Sequence, residues 1–390
     1  MNVGLTAELL LATVAIFLFA LALSSRVLSF PMAMTVSLIK VILPFLYFSF
    51  FFNKEWVLID GVRYFLAGQN LLSEGYTPLS VFDEEALFYS MSAGGGQHIL
   101  YDWYNLIAQW LFGESYASPV FMNVGTTFIS ALLLYRLAEQ FRFPRAYCTG
   151  LFVFFLLHWE LLSWSTVANL KDTVVLLLTI GTVYAAVRLA AERKLRHGLL
   201  LLFQLFLFYW LRFYVPLLMM VAIMIYMFIA NSGRRRLYMV AMAVVVVGGY
   251  GAAMGVGEIM AGVGRLSLGT GMLAGTVKVM VIPRPWSLDI EYTFLLFAAI
   301  LHWVFFIPAV AGAVLLWRST PGYRPILIYL MVALLFYGAF EELQGARQRV
   351  QVLFVYAWAQ YHFLWVLFQR LRRAALEAPG AAGAVGEPAA

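Results

Sequence analysis

The chain has 390 residues, of which 63% are hydrophobic and only 12% are charged. A water-soluble domain carries about 25% charged residues, so this composition excludes a soluble enzyme, a disordered scaffold and a nucleic-acid-binding domain. Its mean hydropathy of +0.85 instead predicts a polytopic membrane protein. The single cysteine, Cys148, excludes a disulfide framework and a cysteine-based metal site.

Eleven apolar runs approach the length of roughly 20 residues that a helix needs to cross a bilayer. We therefore predict an all-α polytopic membrane protein with about 11 transmembrane helices in a single domain over residues 1–373. The runs lie at 8–25, 31–52, 119–138, 146–163, 172–190, 198–213, 215–231, 238–260, 293–317, 325–340 and 350–369. The Ala-, Gly- and Pro-rich remainder, 374–390, predicts a disordered cytoplasmic tail.

The charges predict how the chain is oriented in the membrane. With the eleven runs placed alternately across the bilayer, 16 of the 26 basic residues and four acidic residues fall on one side. The other side receives nine basic and 16 acidic residues. Because basic loops stay in the cytoplasm, we expect a multi-pass protein of the cell membrane with its N-terminus outside and its C-terminus inside.

Two long loops fall on the outer side, at 53–118 and 261–292. The first loop contains two stretches with helical periodicity, 60–73 and 98–112, which are too short and too polar to span a membrane. We expect them to be amphipathic helices that lie in the membrane interface. The second loop carries a stiff, aromatic Pro-Arg-Pro-Trp segment near the lipid headgroups.

Ionisable residues at the outer ends of the spans form the candidate site. Such groups are costly at membrane depth and usually face a cavity, so they indicate a substrate path. Basic side chains can hold the oxygens of a lipid phosphate or diphosphate, and the candidates are Arg63, Lys171, Arg212, Arg347 and Arg349. Asp60 and Asp102 are candidate catalytic bases for an acceptor hydroxyl. The predicted pocket residues are Tyr64, Glu160, Asp172, Tyr214, Arg284 and Trp286.

The order of these short motifs carries a family resemblance. Asp60 in the first large outer loop is followed by Lys-Asp at a span start, Leu-Arg-Phe-Tyr at a span end, Pro-x-Pro-Trp and Arg-x-Arg, over residues 53–370. This order resembles GT-C-type membrane glycosyltransferases, and also uncharacterised membrane proteins associated with bacterial surface-polysaccharide assembly. The chain departs from the GT-C pattern in two ways, because an additional span (8–25) precedes the loop and Gly61 stands where a second acidic residue is common.

The resemblance implies an integral-membrane glycosyltransferase with a GT-C-like fold. Such an enzyme moves a sugar from a polyprenyl-phosphate-linked donor to an acceptor on the extracytoplasmic face, in cell-surface polysaccharide or glycoconjugate assembly. Its expected partners are that lipid-linked sugar or glycan and membrane lipid, without nucleic acid. We predict no cofactor and no metal ligand set, and the sequence leaves the participation of a divalent cation open.

Three other functions fit the same sequence. A polymerase or ligase that joins whole lipid-linked glycans uses outer-face arginines equally well. A lipid-linked glycan transporter is less favoured, because its usual inverted repeats and midplane charges are not found in the sequence. A structural subunit of an export complex is the remaining alternative.

Several candidate residues also have a purely structural interpretation. Asp60 can serve as the N-cap of the helix that follows it. The Lys-Asp pair can snorkel at a helix start, and Asp102 can simply face water at the interface. Arg347 and Arg349 can pair with Glu341 and Glu342 in the same short loop.

Overall fold

The computed structural model describes residues 4–94, 98–230 and 271–377, and isolated positions between 233 and 252. This part of the chain is all-helical and contains no β-strand. The predicted span 238–260, the beginning of the predicted loop 261–292 and most of the predicted tail 374–390 lie outside the described residues.

Sixteen α-helices lie in the described residues, and we number them α1 to α16 in chain order. The first eight are α1 (Ala7–Ser24), α2 (Phe30–Leu46), α3 (Ile59–Ser73), α4 (Glu84–Gly94), α5 (Ile99–Phe112), α6 (Ala117–Gln140), α7 (Arg145–Leu156) and α8 (Trp159–Val167). The others are α9 (Asp172–Glu192), α10 (Leu195–Arg212), α11 (Tyr214–Ala230), α12 (Met272–Val281), α13 (Leu296–Val304), α14 (Phe306–Ser319), α15 (Arg324–Ala339) and α16 (Leu353–Glu377).

Six helical stretches in the described residues are long and apolar enough to cross a membrane, which indicates a multi-pass membrane protein. They are Ala7–Ser24, Phe30–Phe51, Ala117–Gln140, Asp172–Glu192, Pro321–Ala339 and Ala346–Glu377. Two further pairs are bent, α7 with α8 by 45° and Ile290–Val304 with α14 by 54°. If each bent pair is one span, the number rises to eight.

The predicted count of eleven spans is therefore not reached in the described residues. The predicted spans 198–213 and 215–231 are α10 and α11, and neither is among the candidate spans. Helix α11 has only 17 residues, and polar residues at both ends of α10 lower its hydropathy. The described part of the predicted outer loop 261–292 contains a short apolar helix, α12, which the sequence analysis does not predict.

Small residues allow the helices to pack backbone to backbone. A Cβ on Gly312 of α14 would collide with the backbone of Ala359 in α16. In the same way, Gly275 of α12 and Gly338 of α15 lie against each other with no space for a side chain. Such contacts are typical of helix pairs in membranes, where close approach replaces the hydrophobic effect as the source of stability.

The two helices predicted in the first outer loop are observed as α3 and α5, each within one residue of the expected start. They pack closely, since a Cβ on Gly68 would lie 2.8 Å from the carbonyl carbon of Asn105. The buried Asn169 joins this pair to the segment before α9, because its Nδ2 donates to the Gly61 carbonyl (3.0 Å) and to Asn105 Oδ1 (2.7 Å). Most side chains of helix α5 are thus buried against neighbouring helices.

We predict that Gly312→Ala lowers the free energy of unfolding by about 2 kcal/mol, because α14 and α16 must separate to admit the methyl group. Gly198→Ala in α10 is the matched control, since its nearest neighbour lies 3.9 Å from the new Cβ. This control should keep or gain stability, by up to about 1 kcal/mol, through better helix propensity. Thermal unfolding in detergent measures both, and equal effects of the two variants would contradict the packing argument.

Candidate functional site

Asp172 is the centre of a chain of ion pairs. It is the first residue of α9, and Arg212 is the last residue of α10. Arg212 Nη2 lies 2.8 Å from Asp172 Oδ1, and Arg347 Nε donates to Asp172 Oδ2 at 2.7 Å. Arg347 Nη1 in turn donates to Asp60 Oδ2. Four residues from distant parts of the chain therefore form one continuous ionic network.

This network runs from the interior of the protein to its surface. The side chain of Asp172 is 2% exposed and that of Arg212 is 6% exposed, whereas Asp60 is 46% exposed. Burial alone would raise the pKa of Asp60, but the hydrogen bond and charge of Arg347 outweigh it and lower that pKa. Since Leu58 is the N-cap of α3, the capping role considered for Asp60 does not apply.

A third cation, Lys171, has a neutral partner in place of a carboxylate. Its Nζ lies 2.6 Å from Nδ1 and 3.0 Å from Nε2 of His98, and its side chain is buried. Burial and the charge of Lys171 lower the pKa of His98 to about 3, so the imidazole is uncharged. Among the described residues, no carboxylate lies within ion-pair distance of this ammonium.

With Lys171 protonated, the ionic cluster holds one more cation than it has carboxylates. In the part of the chain that the structure describes, the carboxylates nearest to Lys171, Arg212 and Arg347 are those of Asp60 and Asp172. Burial and the two neighbouring guanidinium groups lower the pKa of Lys171 well below its usual value. An anion bound beside Lys171 would stabilise the protonated form of its side chain, as a phosphate does in a phosphate-binding site.

Asp102 lies in a different environment, although it follows His98 by only one helical turn. It lines a groove of about 490 Å³ whose other walls come from α3 and the residues just before it and are mostly apolar, with Arg63 among them. Asp102 is only 4% exposed, and burial raises the pKa of its carboxyl to about 7. No described side chain donates a hydrogen bond to it, so it is free to exchange a proton near neutral pH.

Arg349 and Glu160 belong to a second buried cluster. Arg349 Nη2 donates to Glu160 Oε2 at 2.7 Å, and His302 Nδ1 lies 3.1 Å from Glu160 Oε1. Each of these three side chains is at most 3% exposed. The guanidinium of Arg349 also donates to the Ile282 carbonyl, so the cluster ties α8, α13 and the end of α12 together. Its geometry fits a structural role better than phosphate binding or a substrate pocket.

Two aromatic pocket candidates do lie beside the Asp172 network. Tyr64 packs edge-on against His98, with Lys171 Nζ 5.8 Å from the centre of its ring. The ring of Tyr214 lies 5.8 Å from the guanidinium carbon of Arg212. Both rings present apolar surface beside cations, which limits the access of water to the network.

Arg284 and Trp286 lie in the segment that follows α12. Trp286 is 68% exposed, and its nearest ring contact is Trp303, at 4.9 Å between ring centres. No described contact joins either residue to Asp172 or its partners. The structure thus separates these two pocket candidates from the ionic cluster.

Sequence reasoning missed His98 and Asn169 as parts of the site. His98 is the N-cap residue of α5 and has a left-handed backbone conformation, with φ of 74°. This conformation is uncommon for residues other than glycine, and the sequence alone does not reveal it. Asn169 had no signal in the sequence either, since its partners are distant in the sequence.

Comparison with known proteins adds no family. No family model matches the chain, and no curated protein matches it. Within the described residues, no group of three or more His, Cys, Asp or Glu side chains is arranged to hold a metal ion. The fold and the site therefore define a class only, an all-helical multi-pass membrane protein with a buried, cation-rich ionic cluster.

We predict that Asp172→Ala lowers the free energy of unfolding by about 3–5 kcal/mol, because it leaves two guanidinium groups facing each other without a counter-charge. Asp60→Asn should cost less than about 1 kcal/mol, since that pair is half-exposed and screened by solvent. Thermal or denaturant unfolding in detergent measures the difference. Equal costs for the two substitutions would show that the network does not have a buried centre.

The raised pKa of Asp102 predicts how stability depends on pH. The folded protein holds this proton up to about pH 7, whereas the ordinary carboxyl pKa is 3.8. The contribution of Asp102 to stability is therefore complete below about pH 4 and is lost as the pH rises through about 7. The Asp102→Asn variant should not show this loss of stability, and at pH 8 it should be more stable than the wild type. Melting temperatures from pH 4 to 8 test this, and parallel curves would contradict it.

Proposed function

We propose that the protein is an integral-membrane glycosyltransferase that moves a sugar from a polyprenyl-phosphate-linked donor to an acceptor hydroxyl. The observation that carries the proposal is the excess of cations over carboxylates where Lys171, Arg212 and Arg347 meet. A buried cation without a counter-charge is costly, especially at membrane depth, unless an anionic ligand supplies that charge. A lipid-borne phosphate brings such a charge to this place from the membrane.

In this proposal the cations bind the donor and stabilise its leaving group. The guanidinium of Arg347 and the ammonium of Lys171 donate to the phosphate oxygens, and Arg212 supports Arg347 through their shared carboxylate, Asp172. As the bond between the sugar carbon and the phosphate oxygen breaks, negative charge develops on the departing polyprenyl phosphate. Preorganised cations stabilise that charge without a reorganisation cost.

Asp102 is the better of the two candidate bases. Its carboxyl has no hydrogen-bonding partner among the described side chains and a pKa of about 7, whereas the carboxylate of Asp60 is held by Arg347. In the proposed reaction Asp102 accepts the proton of the acceptor hydroxyl, and the oxygen of that hydroxyl forms the new bond to the sugar carbon. The apolar walls of the groove suit an acceptor that is itself carried on a lipid.

The distribution of basic residues between the loops indicates on which side of the membrane the candidate site lies. The loops that carry Asp60, Lys171, Arg212 and Arg347 all belong to the side with the smaller number of basic residues. We therefore propose that the site opens away from the cytoplasm, with the C-terminus inside. This placement matches the supply of lipid-linked sugars at the extracytoplasmic face.

We predict that Asp102→Asn lowers kcat by about 10²–10⁴-fold, the usual loss when a general base is removed. Lys171→Met and Arg212→Ala should mainly raise KM for the donor. Glu114→Gln is the matched control, because it removes an exposed carboxylate from the same loop. The assay is the transfer of radiolabelled sugar in membranes supplied with a panel of polyprenyl-phosphate sugars.

The outcomes of this assay separate the proposed activity from its rivals. A product one sugar longer supports a glycosyltransferase, whereas long ladders indicate a polymerase or ligase that joins whole glycans. Wild-type transfer by all three variants, Asp102→Asn, Lys171→Met and Arg212→Ala, would refute the assigned roles.

A further inference from the structure

We infer that Asp60 occupies the place of the ligand's phosphate on Arg347, as an internal anion that the incoming ligand displaces. This inference rests on the proposed phosphate site and deepens it. It gives Asp60 a role in setting which anions the site accepts, in place of the catalytic role expected for an acidic residue in this loop.

The first support is that the two carboxylates on Arg347 are held very differently. Asp172 receives a hydrogen bond from Nε, and its side chain is only 2% exposed. Asp60 receives a hydrogen bond from Nη1, and its side chain is 46% exposed. Water and salt screen the exposed pair but hardly reach the buried one. The guanidinium therefore has one fixed partner and one exchangeable partner.

The second support is that Asp60 is not the N-cap of α3 and that a single described side chain holds its carboxylate. The N-cap of α3 is Leu58, and Arg347 is the only described side chain that donates to the carboxylate of Asp60. Its Oδ2 accepts from the guanidinium of Arg347, as an oxygen of a phosphate does.

The third support is that the exchange requires only the rotation of one side chain. A Cβ on Gly61 would lie 2.6 Å from the hydroxyl of Tyr116 and 2.9 Å from the carbonyl oxygen of Asn169. The first turn of α3 is thus held against its neighbours while the side chain of Asp60 stays at the surface. The ammonium of Lys171, with its neutral partner His98, is a second donor for the anion that enters.

An internal carboxylate also gives the site a threshold for anion selection. A ligand binds only if it interacts more strongly with Arg347 and Lys171 than the carboxylate that it displaces. Ordinary carboxylates do not exceed this threshold, whereas a phosphate with more oxygens and more charge does. Removal of Asp60 should therefore strengthen anion binding, which is the opposite of the result expected for a residue that contributes favourably to the site.

The experiment measures anion affinity by calorimetry on the purified full-length protein in detergent. The probes are inorganic phosphate and farnesyl phosphate, with farnesol as the control for partition into micelles. We expect Asp60→Asn to bind the phosphate probes about tenfold more tightly than the wild type. Glu55→Gln is the matched control, because it removes an exposed charge from the same segment without touching Arg347, and its affinity should change less than about twofold.

The outcomes separate the inference about Asp60 from the proposed phosphate site. If the wild type binds phosphate and Asp60→Asn binds equally or more weakly, the inference is overturned and the phosphate site stands. If neither protein binds either probe, the phosphate site fails, and the proposed function and the inference fall with it. Binding by Asp60→Asn alone supports the inference strongly. Preference for farnesyl phosphate over inorganic phosphate identifies a lipid as the source of the anion.

Discussion

One buried carboxylate organises the end of the helical bundle where the candidate site lies. Asp172 accepts Arg347 Nε and lies 2.8 Å from Arg212 Nη2, so it joins the start of α9, the end of α10 and the segment before α16. Two guanidinium groups at this depth would repel each other without it. The positions of Asp60 and Lys171 relative to the two arginines depend on this arrangement.

The first outer loop holds two aspartates whose surroundings shift their pKa values in opposite directions. A guanidinium lowers the pKa of Asp60, whereas apolar walls and burial raise the pKa of Asp102 to about 7. Sites that combine anion binding with proton transfer depend on such a separation of titrating groups. The proposed division of roles follows from it, because one carboxylate stays charged at neutral pH and the other exchanges a proton there.

Arg347 and Arg349 show how far local sequence reasoning extends. Both were predicted from the sequence as cations at the outer end of the last span, and both have carboxylate partners. They stand two residues apart in the 3-10 segment Ala346–Val352, so their side chains leave it in different directions. One joins Asp60 and the other joins Glu160, which places them in separate clusters. A sequence pattern identifies such residues but does not distinguish their partners.

The sequence by itself predicts the features that follow from local composition and periodicity. These are the membrane class, most of the long apolar helices, and helices α3 and α5. Hydropathy and a 3.6-residue period act over short stretches, so no distant contact is needed to read them. The pairing of charges could not be read in this way. Asp60 and Arg347 are 287 residues apart, and His98 and Lys171 are 73 apart. The packing of α3, α5, α9 and the segment Ala346–Val352 brings them together, because contacts between helices depend on how whole helices are arranged.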